Sequence, residues 1–158
     1  MFDGRSISAV VGTAIAAFIG ISAAAERNDA GEIMTAGAVN AFEVQVGDCF
    51  DDEAFASTEV NELPGVPCAD PHDNEIYATF DIAGDWPGEE RVEELAYEGC
   101  YDRFAGAIGL SYEKSVIDYA VIYPSHGTWK QRGDREVICV AYHMEFDKLT
   151  GSVLGSGL

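Results

Sequence analysis

Five segments of the chain carry a regular pattern of apolar and polar residues that predicts secondary structure. In four of them apolar residues alternate with polar ones or form a short run rich in β-branched and aromatic residues, which predicts β-strands. These four are residues 42–46, 76–82, 115–123 and 136–144. In the fifth, residues 89–109, apolar side chains recur every three to four positions, which predicts one long helix that ends at Gly109.

The order strand, strand, helix, strand, strand predicts an α+β domain. We expect a small antiparallel sheet with one long helix packed on a face. Residues 63–68 contain two prolines and predict no more than a short edge strand. Residues 124–134 have turn residues at both ends and predict a connection between the last two strands.

The ends of the chain predict segments outside this domain. Residues 7–25 carry no charge and finish on Ala23 and Ala25, the pattern of a signal peptide with a small-residue cleavage site. The same stretch is also long enough to be an uncleaved membrane anchor. We therefore expect a signal peptide or signal anchor over 1–25, a linker over 26–41 with room for a short helix at 33–39, a domain over 42–150 and a flexible tail over 151–158.

Four cysteines lie beyond the predicted signal, and their even number in a small exported domain indicates two disulfides. Three pairings are open, of which we favour Cys49–Cys68 with Cys100–Cys139, which would enclose loops of 20 and 40 residues. In the predicted fold the second bridge would join the helix to the last strand. The alternatives are a metal site built from Cys49, Cys68 and His72, or a redox-active pair. Neither has the close cysteine spacing that such sites favour.

The charge balance narrows the possible partners. The chain has 28 Asp and Glu against 9 Lys and Arg, for a net charge of −19. This balance argues against binding to nucleic acid or to anionic lipid headgroups, both of which need clustered cations. Glycine-rich phosphate loops, H-E-x-x-H and G-x-S-x-G are absent from the sequence, so no familiar catalytic motif is present.

Several short motifs occur in an order that resembles a known family. They are G-D-C at 47–49, P-C-x-x-P-H-x-x-E at 67–75, W-P-G at 86–88 and G-D-R-x-x-x-C at 133–139. Together they resemble the septum formation family of exported or membrane-anchored actinobacterial proteins, over about residues 43–152. The resemblance implies a cysteine-bridged domain outside the cytoplasm that is linked to cell division, and it implies no catalytic residues.

Five residues are candidates for contacts with a partner or ligand: His72, Glu75, Trp86, Trp129 and Arg135. A histidine and a carboxylate can share a proton or a metal, tryptophans anchor interfaces and arginine can bind a carboxylate. Each also has a structural interpretation. His72 would bond backbone or Glu75, the tryptophans would close the core, and Arg135 would pair with Glu75 or Asp48.

Two weaker patterns are also present. The acidic run of Asp48, Asp51, Asp52 and Glu53 has the oxygen ligands that calcium prefers, but no calcium-loop spacing. Ser125 and His126 are adjacent, and no acid that would orient the histidine follows from the sequence.

We therefore expect a non-catalytic, secreted or membrane-anchored domain that needs no cofactor or metal and binds an envelope or cell-division protein. The alternative is a thiol-redox or metal-dependent envelope enzyme that uses one cysteine pair or His72. A third hypothesis is a module that binds the cell wall or cations through its negative charge.

Overall fold

The computed structural model describes residues 4–8, 23–52 and 59–158. These residues contain ten strands and two α-helices. The strands are Arg5–Ser8 (β1), Glu26–Arg27 (β2), Ile33–Thr35 (β3), Gly37–Asn40 (β4), Cys49–Phe50 (β5), Glu59–Val60 (β6), Glu62–Val66 (β7), Asn74–Asp81 (β8), Ile117–Tyr123 (β9) and Glu136–His143 (β10). The helices are Glu89–Ile108 (α1) and His126–Arg132 (α2).

Eight of the strands form one antiparallel sheet in the order β4-β7-β5-β8-β10-β9-β1-β6, and β2 pairs with β3 separately. The long strand β10 lies in the middle, where Cys139 is opposite Ala78 of β8 and Val121 of β9. The predicted α+β fold, with an antiparallel sheet and one long helix, is confirmed.

The sheet curves until its two ends meet. β6 and β7 are separated only by Asn61, yet β6 pairs with β1 at one end of the sheet and β7 pairs with β4 and β5 at the other. The strand over residues 59–66 therefore bends at Asn61 and joins the two ends. Side chains that alternate along a strand point to opposite faces, so the sheet has an inner face and an outer face.

Each face has its own hydrophobic core. The inner core includes Phe50, Leu63, Ile76, Ile122 and Ile138, all buried. The outer core lies between the sheet and α1. Its helix residues recur at a spacing of four and are Val92, Ala96, Cys100, Phe104 and Ile108. The periodicity of the sequence thus predicts the buried face of α1 correctly.

The favoured disulfide pairing is confirmed. Cys49 of β5 is bonded to Cys68, which follows β7, and Cys100 of α1 is bonded to Cys139 of β10. The second bridge joins the helix layer to the sheet layer. Loops of this length predict that each bridge stabilises the fold by roughly 3 to 4 kcal/mol in the chain-entropy model.

The strand predicted at 42–46 and the linker predicted at 26–41 both need correction. Residues 41–47 form turns and irregular structure rather than a strand. Phe42 and Val44 are half-buried and alternate with exposed Glu43 and Gln45, so the alternation reflects partial burial without a strand, and Val46 departs from it because it is exposed. The segment 26–41 instead contains β2, β3 and β4, and Ile33 and Val39 lie in the inner core. The short helix considered at 33–39 is also wrong. Pairing with β7 determines the structure here, and the Gly37-Ala38 pair gives it little hydrophobic pattern.

The last eight residues are packed, although the sequence predicts a flexible tail. Val153 is buried, and the N–H groups of Gly155 and Gly157 donate to the carbonyls of Ala107 and Ile108. These are carbonyls in the last turn of α1, which a helix leaves without internal partners. The tail therefore caps the helix, a role that glycine-rich composition conceals.

The N-terminal prediction lies mostly outside the described residues, because residues 9–22 are not among them. Arg5–Ser8 form β1, with Ile7 opposite Ile122 of β9. Buried Arg5 donates from Nε and Nη2 to Asp134 (3.1 and 2.9 Å) and from Nη2 to Glu136 (3.0 Å). A chain cleaved after Ala25 would lose this strand. The signal or anchor over 1–25 stays a prediction.

Candidate functional site

His72 and Glu75 lie where the chain enters β8, and both are fully buried. The segment from Leu149 to Val153 holds them in place. Backbone hydrogen bonds join His72 and Leu149 in both directions, and the N–H of Gly151 donates to the carbonyl of Cys68. The P-C-x-x-P-H-x-x-E motif at 67–75 and residues 149–153 thus form one local structure.

The imidazole of His72 is bonded on one side only. Its Nδ1 lies 2.8 Å from the carbonyl oxygen of Asp70, so Nδ1 carries the proton and donates. Its Nε2 is buried and has no hydrogen-bond partner among the described residues. The structural interpretation, a histidine bonded to backbone, therefore accounts for one of its two nitrogens.

Glu75 accepts two short hydrogen bonds, from Ser152 Oγ to Oε1 and from the N–H of Val153 to Oε2, each 2.6 Å. Burial raises the pKa of the Glu75 carboxyl, while the two hydrogen bonds and nearby His72 act in the opposite direction. The hydrogen bonds from Ser152 and Val153 hold the carboxyl group in one orientation.

Cys49 completes this group. Its Sγ, one nitrogen of His72 and one carboxylate oxygen of Glu75 lie within 4.8 Å of one another. Cys49 is bonded to Cys68, which is half-buried. The sequence points to Cys49, Cys68 and His72 as alternative metal ligands. The structure brings Cys49 and His72 together with Glu75, and Cys68 joins this group only through its bond to Cys49.

Trp86, Trp129 and Arg135 form a second group. The two indole rings meet edge to face with centroids 5.3 Å apart, and the Arg135 guanidinium lies 3.8 Å from the centre of the Trp129 ring. Arg135 also donates to the carbonyls of Trp129 and Asp134. It pairs with neither Glu75 nor Asp48 as the sequence suggests, and it supports the C-terminal end of α2 instead.

Exposure separates the five candidate contact residues. His72, Glu75 and Trp129 are buried and have no surface to offer a partner in this conformation. Trp86 and Arg135 are half-buried, and Trp86 also packs against exposed His126, with ring centres 5.1 Å apart. Ser125 begins α2 as its N-cap, so its hydroxyl has a structural role.

The acidic run is largely neutralised by pairing. Asp48 forms an ion pair with Arg27 (2.5 Å), and Asp51 shares Lys148 with Asp73 (2.8 Å each). Burial lowers the pKa of Lys148, but the hydrogen bonds and the negative charges of Asp51 and Asp73 together outweigh it and raise the pKa above its ordinary value. Glu53 lies outside the described residues. In the described part of the run, the carboxylates face basic or amide groups rather than converging as a calcium cage would require.

One exposed apolar surface was not predicted. Val116, Met144 and Phe146 lie where β9 begins and β10 ends, with exposed fractions of 43%, 45% and 56%. The N–H of Met144 donates to the carbonyl of Val116, and the Phe146 ring stacks on Tyr142. We call these three residues the hairpin-end surface. An aromatic residue between charged ones, in M-E-F-D-K at 144–148, was the available signal.

Phe146 adopts an unusual backbone conformation. Its φ is +59°, and it is the non-glycine residue with positive φ among those the structure describes. The left-handed region is unfavourable for a bulky side chain, and such strain concentrates at functional positions. A turn closed by the hydrogen bond from the N–H of Phe146 to the carbonyl of His143 holds it there.

Comparison with protein families gives one match. The model of the family described as septum formation matches residues 46–153, which is most of the chain. The chain belongs to the septum formation family. This confirms the resemblance carried by the G-D-C, P-C-x-x-P-H-x-x-E and G-D-R-x-x-x-C motifs.

The septum formation match covers β5 to β10, both helices, both disulfides and the hairpin-end surface. Strands β1 to β4 lie before it, although β4 and β1 belong to the same sheet. No curated protein and no solved structure matches the chain. Across the described ranges, no helix is both long and apolar enough to cross a membrane.

Proposed function

We propose that this septum formation protein is a non-catalytic binding domain that acts outside the cytoplasm during cell division. Family membership over residues 46–153 is the observation that carries the link to division. The location is supported by two disulfides, since such bonds persist mainly in oxidising compartments.

The hairpin-end surface is the binding surface in this proposal. Large exposed apolar side chains in a soluble domain mark interaction sites when they cluster. Glu145 and Asp147 flank Phe146, and the whole chain has a net charge of −19. The partner that fits is therefore an envelope or division protein that presents an apolar side chain beside Lys or Arg.

Phe146 allows binding to be separated from folding. Asparagine tolerates positive φ better than phenylalanine does, so Phe146→Asn should keep the turn while it removes the ring. We expect this variant to unfold at a urea concentration equal to or above that of the wild type and to bind the partner at least tenfold more weakly.

The test is photo-crosslinking in intact cells with a photoreactive amino acid at position 144 and, as a matched control, at position 34. Met34 is also a strongly exposed methionine, but it lies outside the region matched by the family. We expect adducts with a division or wall-synthesis protein from position 144 that disappear in Phe146→Asn. Equal adducts from both positions, or none, would contradict this surface as the binding site.

Location needs a separate measurement. The cell wall is first removed and protease is then added while the membrane is intact. The protease should degrade this protein, and a cytoplasmic marker should survive. Protection of this protein together with the marker would contradict the proposed location without bearing on the hairpin-end surface.

Trp86 is the second candidate contact. It is half-buried against Trp129 and His126, so Trp86→Ala is expected to lower stability as well as any binding. Its effect on crosslinking is informative only beside an unfolding curve of the same variant.

The alternative, a thiol-redox or metal-dependent enzyme, makes a different prediction for isolated protein. Intact mass before and after alkylation should show four oxidised cysteines if both disulfides are structural. Turnover of a disulfide or dithiol substrate by the isolated protein would favour the alternative, and Cys49–Cys68 is the pair to watch, because His72 lies beside it.

A further inference from the structure

The group formed by Cys49, His72 and Glu75 has the composition of a metal site, and the proposed function does not require one. All three side chains are fully buried, and their ligand atoms lie within 4.8 Å of one another. Thiolate, imidazole and carboxylate are the three side-chain types that bind zinc. Cys49 is unable to act as a thiolate while it is bonded to Cys68.

The tautomer of His72 is the one that a metal ligand needs. Its Nδ1–H donates to the Asp70 carbonyl, which leaves the lone pair on Nε2, and Nε2 is buried with no partner in the described residues. Histidine ligands of metals characteristically donate their other N–H to a carbonyl or carboxylate. A buried nitrogen acceptor without a partner is unfavourable, and a metal ion would satisfy it.

The carboxylate of Glu75 is also oriented by hydrogen bonds. Ser152 and the Val153 backbone fix its carboxylate by two hydrogen bonds. Each carboxylate oxygen has more than one lone pair, so these bonds leave room for a metal. Hydrogen bonds of this kind orient ligating carboxylates in metal sites.

Cys68 would provide the fourth ligand. It precedes His72 by four residues and Glu75 by seven. It is half-buried in a turn, whereas Cys49 is fully buried on β5. Cys68 is thus the more exposed of the two cysteines, and an attacking thiolate reaches the bridge from its side.

We propose that the Cys49–Cys68 disulfide covers a latent zinc site formed by Cys49, Cys68, His72 and Glu75. A dithiol reductant opens the disulfide: its thiolate attacks Sγ of Cys68, its second thiol resolves the mixed disulfide, and the reductant leaves oxidised while both cysteines become thiols. Zinc then binds both sulfurs, and the two thiol protons are released. In the reverse direction, thiol–disulfide exchange with an oxidised dithiol re-forms the Cys49–Cys68 bond, reduces that oxidant to its dithiol and releases the zinc ion.

The other disulfide provides an internal control. Cys100 and Cys139 are both fully buried between α1 and β10. Neither belongs to a metal-ligand cluster in the described ranges. The proposal therefore predicts that mild reduction opens Cys49–Cys68 first, and that zinc acts on that pair alone.

The experiment uses the full chain, a graded phosphine reductant and zinc alone, because a phosphine has no thiol to compete for the ion. Native mass spectrometry should show one zinc per chain once two cysteines are reduced. Zinc should protect Cys49 and Cys68 from alkylation, and cobalt in its place should give the charge-transfer absorption of a thiolate complex. His72→Asn should weaken zinc binding at least tenfold. His143→Asn is the control and should not change it, since His143 lies in a histidine and carboxylate cluster that contains no cysteine.

Several results would overturn the proposal. They are the absence of zinc after selective reduction, equal zinc affinity in His72→Asn, protection of Cys100 and Cys139, and failure of the first pair to open while the second stays closed. If His72→Asn does not fold, Glu75→Gln tests the same prediction, and the alkylation pattern of the wild type decides independently of either variant.

Discussion

At the scale of single residues, Ser125 shows how a short motif determines a local structure. Its hydroxyl accepts from the N–H of Thr128, and the Thr128 hydroxyl accepts from the N–H of Ser125. This reciprocal capping satisfies backbone groups that would otherwise lack partners at the start of α2. A seven-residue helix depends on such a cap, because it is too short to be stable by propensity alone.

Ser125→Ala should therefore lower the free energy of unfolding by about 1 kcal/mol. Urea unfolding followed by circular dichroism measures the change. Ser111→Ala is the control, since Ser111 precedes a short 3-10 turn and its side chain bonds the Glu113 carboxylate without capping the backbone of that turn. Equal losses in the two variants would show that the Ser125 cap is not the cause.

Tyr77 links residue chemistry to pH. Its hydroxyl donates to the carbonyl of Cys100 (2.8 Å) inside the outer core. Burial, more than neighbouring charges, raises the pKa of this hydroxyl above its usual value near 10. The folded chain thus keeps a proton that the unfolded chain releases, so the free energy of unfolding falls as pH rises above about 10.

Tyr77→Phe should lower stability by about 1 kcal/mol at neutral pH, through loss of the buried hydrogen bond. Above pH 10 the difference from the wild type should shrink, because the variant lacks the titrating group. Urea unfolding at a series of pH values tests both statements. A difference that stays constant to pH 11 would mean that Tyr77 does not titrate between folded and unfolded states as described.

At the scale of elements, two glycines of α1 have opposite surroundings. A Cβ at Gly99 would lie 2.2 Å from Cζ of Phe80, whose ring is covered by the Arg103 guanidinium. A Cβ at Gly106 would meet no atom within 4 Å in the described structure. Gly99 thus allows the helix to approach β8 closely, while Gly106 has no such role.

Gly106→Ala should raise the free energy of unfolding by about 0.5 to 1 kcal/mol, the difference in helix propensity. Gly99→Ala should give no gain, or a loss, because the Phe80 ring must move from its place. Thermal and urea unfolding of the two variants provide matched measurements. An equal gain in both would mean that the ring moves at no cost.

The same scale shows which elements the sequence predicts. α1, β8, β9 and β10 have ends within about two residues of the predicted ones. The buried residues of α1 repeat at the helical period, and the three strands are short apolar runs because most of their residues are buried on both faces of the sheet. β3 and β4 were missed, since Met34, Gly37 and Ala38 supply no alternation and only pairing with β7 makes them strands.

Of the candidate site, His72 and Glu75 were found from the sequence by their chemistry. Their contact with Ser152 and Val153 spans more than 70 residues and has no local signal.

At the scale of the whole molecule, Arg5 determines how the N-terminal segment relates to the domain. Its partner Asp134 is buried and would keep an unpaired charge if β1 left the sheet. Removal of one member of a buried ion pair commonly costs about 3 to 5 kcal/mol. A folded β1 and a cleaved or membrane-spanning segment at 7–25 are therefore mutually exclusive states.

A chain that begins at Glu26 should be less stable than the full chain by several kcal/mol, and Asp134→Asn should restore part of that loss by removing the buried charge. Urea unfolding of the three proteins measures this. Equal stability of the full and shortened chains would mean that β1 adds nothing, and it would make cleavage after Ala25 compatible with the folded domain.

The bend at Asn61 has a consequence for the order in which the chain folds. Residues 59–66 join both ends of the sheet, and β1 finds its partner β9 more than a hundred residues later. Contacts so distant in sequence slow folding, because the entropy of closing the long intervening loop is lost before any hydrogen bond of the pair compensates for it. The N-terminal strand can therefore complete its pairing only after the chain has been synthesised as far as Tyr123, and until then β6 is the one of its two partner strands already made.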